Sequence, residues 1–200
     1  MSKQELNGWA QVPKFNERSP EHLGTIPRFS FFEPPIQNIH PKKEINLMDV
    51  FFLIRNESKE QTLELREATD KKIQRKIKAS KFSYVTFSGV FSYRNDHSLL
   101  KHSGLLCLDF DHLPNVQTVR ETLLSDYYFP TELLFVSPSG DGLKWVIKID
   151  IAKNSHQEWH QAIGNYLNQT YGLKIDSAGK DVSRACFLPN DPMLYLNPHY

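Results

Sequence analysis

Hydrophobic positions in residues 1–44 follow no clear period, and Pro13, Pro20, Pro27, Pro34, Pro35 and Pro41 punctuate the stretch. This predicts a mostly irregular N-terminal extension. Inside it, Arg28-Phe29-Ser30-Phe31-Phe32 reads as a short strand stopped by Pro34-Pro35. The pattern then changes. Leu47, Val50, Phe51 and Ile54 recur at helical spacing, with Asn46 placed to cap and Asp49 in the first turn. A second helix is expected from Glu60 to Lys78, a stretch without Gly or Pro. From Lys81 on, strand-like and helix-like segments alternate. Phe82 to Phe87 is aromatic and β-branched, and Gly104 to Asp109 is an almost continuous apolar run, as in a strand covered on both faces. Val116, Val119, Leu123 and Leu124 mark a helix. Leu133–Val136 and Trp145–Ile149 read as strands joined by a Gly-containing turn. Ser155 and Glu158 form a capping box for a helix carrying Trp159, Ile163, Tyr166 and Leu167, and Gly172 is placed to end it. Short apolar pieces follow around Cys186 and Tyr195. The expectation is one α+β domain over 45–200 with a mixed sheet.

Composition narrows the class. The 200 residues and 23.2 kDa suit one domain with an extension, and 40% hydrophobic content with 13 Phe is enough for a core, which excludes a wholly disordered chain. Lys and Arg total 24 against 23 acidic residues, so the net charge of +1 excludes a globally basic coat but leaves room for a local basic groove. The two cysteines, Cys107 and Cys186, are too few for a disulfide framework or a zinc module and suit a reducing compartment. The N-terminus has no apolar signal region, and no run approaches the roughly 18 apolar residues of a membrane span. A cytoplasmic protein without membrane contact is expected.

Three segments carry candidate chemistry. In Leu106-Cys107-Leu108-Asp109-Phe110-Asp111 a strand puts Asp109 and Asp111 on one face, and two adjacent anions invite a divalent ion. The plain alternative is a strand running into a polar turn. In Ser137-Pro138-Ser139-Gly140-Asp141-Gly142-Leu143-Lys144, two glycines let backbone N–H groups approach an anion, with Ser139 and Lys144 beside them. This is not a Walker A loop, and a simple hairpin turn explains the glycines equally. Third, Ile175-Asp176 and the later Asp181 and Arg184 offer a further carboxylate and a forked cation, or else a surface ion pair.

The order of these segments resembles the archaeo-eukaryotic primase (prim-pol) superfamily, and more narrowly the VirE N-terminal, primase-like domains of bacterial mobile elements. The resemblance is carried by Phe87-Ser88-Gly89-Val90-Phe91, His102 to Asp111, Pro138 to Trp145 and Asp181 to Phe187, across about Ile45 to Pro198. It implies a prim-pol fold in which Asp109, Asp111 and Asp176 hold two Mg²⁺ or Mn²⁺ ions. Asp176 fits the third position better than Asp181 because an apolar residue precedes it. Ser139, Gly140, Gly142 and Lys144 would hold the triphosphate, with Arg184 on phosphate or template. Lys144 stands where many superfamily members have His.

The implied activity is a DNA primase or primase-polymerase: a nucleotidyltransferase that makes primers on single-stranded DNA from nucleoside triphosphates, in replication of a mobile element and beside a helicase or ATPase. The alternative is a catalytically weak relative that binds nucleic acid or nucleotide. Oxygen ligands without a Cys/His cluster suit Mg²⁺ or Mn²⁺ over zinc. A phosphatase of the haloacid-dehalogenase type shares the Asp-x-Asp strand but expects Thr or Val where Leu113 stands. A metal-dependent sugar transferase shares only the Asp-x-Asp. Lys71, Lys72, Arg75, Lys76, Lys78 and Lys81 form a basic run that would suit a template or simply a solvated face. His102 and His112, flanking the Asp-x-Asp strand, read as supporting or structural. The tail ends just after a strand-like piece, which suggests a protein that continues past Tyr200.

Overall fold

The computed structural model describes residues 26–200. Its framework is two four-stranded sheets facing each other, with helices outside one of them. The first sheet contains β1 (Phe29–Phe32), β2 (Lys43–Ile45), β3 (Tyr84–Thr86) and β9 (Cys186–Phe187) in the order β2-β1-β3-β9. The second contains β6 (Leu105–Phe110), β7 (Thr131–Val136), β8 (Leu143–Lys148) and β10 (Tyr195–Leu196) in the order β10-β7-β8-β6. A small hairpin of β4 (Gly89–Phe91) and β5 (Leu99–His102) stands beside them. The strand expected at 28–32 is therefore a paired, fully buried member of the first sheet, so the last part of the segment read as an extension belongs to the folded body.

Every ladder among the described residues is antiparallel, which corrects the expected mixed sheet. The reason lies in one turn. Helix α4 (Val116–Leu124) carries the chain from β6 to β7, so that these two strands run the same way. The tight turn at 137–142 then sends β8 back into the gap between them, where it pairs with both. The crossover is present, but its two parallel strands never touch.

Alternation along β6 divides the core. Leu106, Leu108 and Phe110 face Val119 and Leu123 of α4 and Trp159, Ile163 and Leu167 of α5 (His156–Tyr171). Leu105 and Cys107 face the first sheet and α1 (Leu47–Asn56), meeting Phe29, Val85, Val50 and Ile54. Asp109 follows Cys107 on that face. The capping box foreseen at Ser155 and Glu158 forms on α5, and on α1 the expected cap Asn46 makes a second one with Asp49. Gly172 ends α5 at φ +68°.

The single helix expected over 60–78 is two: α2 (Lys59–Glu67) and α3 (Lys71–Lys81). The break needs no Gly or Pro. Asp70 accepts from the N–H groups of Lys72 and Ile73, satisfying the start of α3 in place of a continuing helical turn. The Gln74 amide donates to the Ala68 carbonyl left over at the end of α2. Among the described residues no helix is long and apolar enough to cross a membrane.

Candidate metal and phosphate site

Asp109 sits near the end of β6 with Lys144 of β8 directly opposite it in register. The Lys144 ammonium contacts the Asp109 carboxylate, and both side chains are almost wholly buried. The second oxygen of that carboxylate, Oδ1, is buried with no hydrogen-bond partner. Burial pushes the Lys144 ammonium below its ordinary value, so its charge in this place depends on the carboxylate beside it.

Asp111 follows on the same face, exposed, beyond the last residue of β6. Asp176 reaches the same place from the segment after α5. Its backbone N–H donates to the Asp109 carbonyl at 2.9 Å, and its carboxylate accepts from Ala178 N–H and from the Arg184 guanidinium at 2.9 Å. Asp109, Asp111 and Asp176 each offer a carboxylate oxygen within 4.8 Å of the others. Three anions from two separated segments thus converge, with Lys144 paired to Asp109 and Arg184 to Asp176. Oxygen donors alone suit hard ions such as Mg²⁺ or Mn²⁺, and the unpartnered Asp109 oxygen is a ligand atom that the protein itself leaves unsatisfied.

The turn that carries Asp176 is held from below by histidines that the sequence reading did not connect to it. His102 Nδ1 accepts the Gly104 N–H, so its proton is on Nε2, which donates to His156 Nδ1 at 3.1 Å. His156 in turn donates from Nε2 to the Gly179 carbonyl, and His160 donates to the Asp176 carbonyl. This chain requires neutral His102 and His156. Burial, with His156 adding to it, pushes His102 down to about 4, and burial lowers His156 and His160 as well. Gly179 is fixed by the same packing: a Cβ there would lie 2.9 Å from His160 Nε2.

A cavity of about 30 Å³ opens beside Asp109 and Lys144, lined also by Arg184, Asp181 and the two cysteines. That is the room of one water, so a triphosphate would have to lie over it and not inside. Cys107 donates its S–H toward Cys186. This pushes Cys107 well above the usual thiol value, with burial adding to the rise. The same bond draws Cys186 down against its burial, helped by Lys144 and Arg184.

The glycine turn lies against the end of β6, outside the lining of this cavity. Gly142 has a structural reason: a Cβ would sit 2.2 Å from the Phe110 carbonyl oxygen. Gly140 adopts φ +87° under the Arg66 guanidinium, which donates to the Pro138 and Ser137 carbonyls. Asp141 pairs with His112 at 2.6 Å, and its carbonyl accepts the Leu113 N–H. Against the burial that would raise it, the Ser139 hydroxyl and His112 hold the Asp141 carboxyl below its usual value. The structure thus gathers Asp109, Asp111, Asp176, Lys144 and Arg184, while Ser139, Gly140 and Gly142 form a neighbouring turn in which the Ser139 hydroxyl lies 3.2 Å from that of Ser137. Arg66 escaped the sequence reading because no local spacing ties it to a carbonyl 72 residues away.

Residues 76–196 match the family model described as BT4734-like, N-terminal domain, which is more than half of the chain. No curated protein and no solved structure matches it.

Proposed function

This chain belongs to the BT4734-like, N-terminal domain family, and we propose that it is a metal-dependent nucleotidyltransferase of the primase-polymerase kind, extending or starting strands on single-stranded DNA from nucleoside triphosphates. The observation that carries the reading is the convergence of Asp109, Asp111 and Asp176 within 4.8 Å, with a buried Asp109 oxygen left without a partner. Asp109, Asp111 and Asp176 would hold Mg²⁺ or Mn²⁺, two ions in this reading. When bound, such ions lower the pKa of an attacking 3′-hydroxyl and offset charge on the departing pyrophosphate. The protein's own residues do the rest. Lys144 and Arg184 are cations fixed at the edge of the acidic cluster, within reach of phosphate oxygens lying over the cavity. The Asp176–Asp109 backbone bond and the histidine chain keep the third carboxylate in place without relying on a ligand. The order of the motifs, with its likeness to mobile-element primases, supports single-stranded DNA as template.

A second reading has a specific observation behind it. Lys144 and Arg184 already neutralise two of the three carboxylates, as suits a module that binds nucleotide or nucleic acid without catalysis. Nucleotide incorporation on a single-stranded template, with and without primer, in Mg²⁺ and in Mn²⁺, separates the two. Metal-dependent product that disappears in the Asp109→Ala/Asp111→Ala double variant is the expected result. A folded protein that binds the template but makes no product under any of these conditions would establish the binding module.

A further inference from the structure

Beneath the acidic cluster, where the two sheets face each other, Cys107 on β6 and Cys186 on β9 bring their sulfurs to 3.9 Å. Both thiols are free, and both line the cavity shared with Asp109, Lys144 and Arg184. Nucleotidyl transfer needs neither of them. Cys107 stands two residues before Asp109, and Cys186 two residues after Arg184. A disulfide of about 2.05 Å would require the sulfurs to approach by roughly 2 Å, within the reach of side-chain rotation and a slight closing of the sheets.

We propose that Cys107 and Cys186 are an oxidisable dithiol, closed by hydrogen peroxide into an inter-sheet disulfide that reshapes the acidic cluster above it. The cavity suits a small oxidant: its volume of about 30 Å³ leaves room beside the two sulfurs for a molecule of water's size or slightly more. Cys186 is the attacking sulfur because it accepts the hydrogen bond from Cys107, while Lys144 and Arg184 lie near both thiols. Its thiolate attacks one peroxide oxygen, the O–O bond breaks, and the departing hydroxide takes up the proton that Cys186 released, leaving water and a sulfenic acid. The Cys107 sulfur then attacks the Cys186 sulfur. The S–O bond breaks, and the hydroxide leaves with the Cys107 proton as a second water. Two thiols lose two electrons in total, and one peroxide is reduced to two waters.

The new bond draws β9, and Arg184 with it, toward β6. The guanidinium already holds Asp176 at 2.9 Å and is driven further among the carboxylates, where it competes with a divalent ion. The disulfide is independent of the proposed activity. Its effect on ion binding rests on the metal reading of the site.

The test takes the full chain, reduced and then exposed to hydrogen peroxide. Thiol titration and intact mass are measured on denatured samples, and Mn²⁺ binding is followed by electron paramagnetic resonance. Both thiols are expected to disappear together, with a mass lower by two hydrogens, a linked Cys107–Cys186 peptide and full recovery on reduction. Mn²⁺ affinity is expected to fall about tenfold, a coupling of ordinary size. Cys107→Ser, checked for folding by circular dichroism, should gain oxygen on Cys186, whereas Cys186→Ser should keep its Cys107 thiol, and neither should form an intramolecular link. Retention of both thiols by the wild-type chain, or oxygen gain without a linked peptide, overturns the dithiol. A linked peptide with unchanged Mn²⁺ affinity overturns its action on the site. A reduced protein that binds no Mn²⁺ overturns the metal reading instead, and the linked peptide still decides the disulfide.

Discussion

Lys144 is the residue on which the site turns. In the protein alone it stands as the counter-cation of Asp109, so removing its charge leaves a buried carboxylate unpaired. Lys144→Met is expected to cost about 3–5 kcal/mol, the usual penalty for breaking one side of a buried pair. Added Mn²⁺ should raise the melting temperature of this variant more than that of wild type, because an ion that binds only the folded state stabilises it. No differential rise in thermal melts would mean that Asp109 holds no ion. Gly142 gives a contrasting case. Its missing Cβ clears the Phe110 carbonyl, so Gly142→Ala should destabilise by about 3 kcal/mol through overpacking against backbone that has little room to yield. Denaturant unfolding measures the loss, and a cost below about 1 kcal/mol would show that the turn gives way more easily than its position against β6 implies.

Elements built from local rules were legible in the sequence. Asn46 with Asp49, and Ser155 with Glu158, announce helix starts because the bonds they make span three residues. Leu47, Val50 and Ile54 announce a buried face because helical periodicity is local too. The break between α2 and α3 was not legible, since Asp70 is as compatible with an exposed helical position as with a cap. Asp70→Ala should cost about 1 kcal/mol and loosen the start of α3, visible as faster amide exchange at Lys72 and Ile73. Unchanged exchange there would mean that packing of α3, and not the cap, fixes the break. The site divides in the same way. Asp109 and Asp111 follow from strand alternation, but Arg66 over the glycine turn and the histidines under Asp176 depend on segments that meet only in the folded chain.

For the molecule as a whole, the linked histidines set an acid limit. The unfolded chain takes up protons on histidine near pH 6.5, whereas folded His102 resists protonation down to about 4, and His156 is lowered as well. In that window the unfolded state binds more protons, so stability rises with pH and is lost as pH falls from 6.5 toward 4. Thermal melts across this range should show a falling melting temperature, and His102→Asn should flatten the decline. A flat profile in wild type would mean that the histidine chain is not held neutral.

The order β2-β1-β3-β9 has one more consequence, for how the polypeptide can be divided. The family match begins at residue 76, yet β1, in the middle of that sheet, lies at 29–32. The boundaries of shared ancestry and the boundaries of an autonomous folding unit therefore fall in different places. Excising 76–200 would strip Phe29, Phe31, Val50 and Ile54 from the inter-sheet core and leave β3 with an open edge. Such a fragment is expected to self-associate through that edge, while one beginning at residue 26 keeps the seam closed.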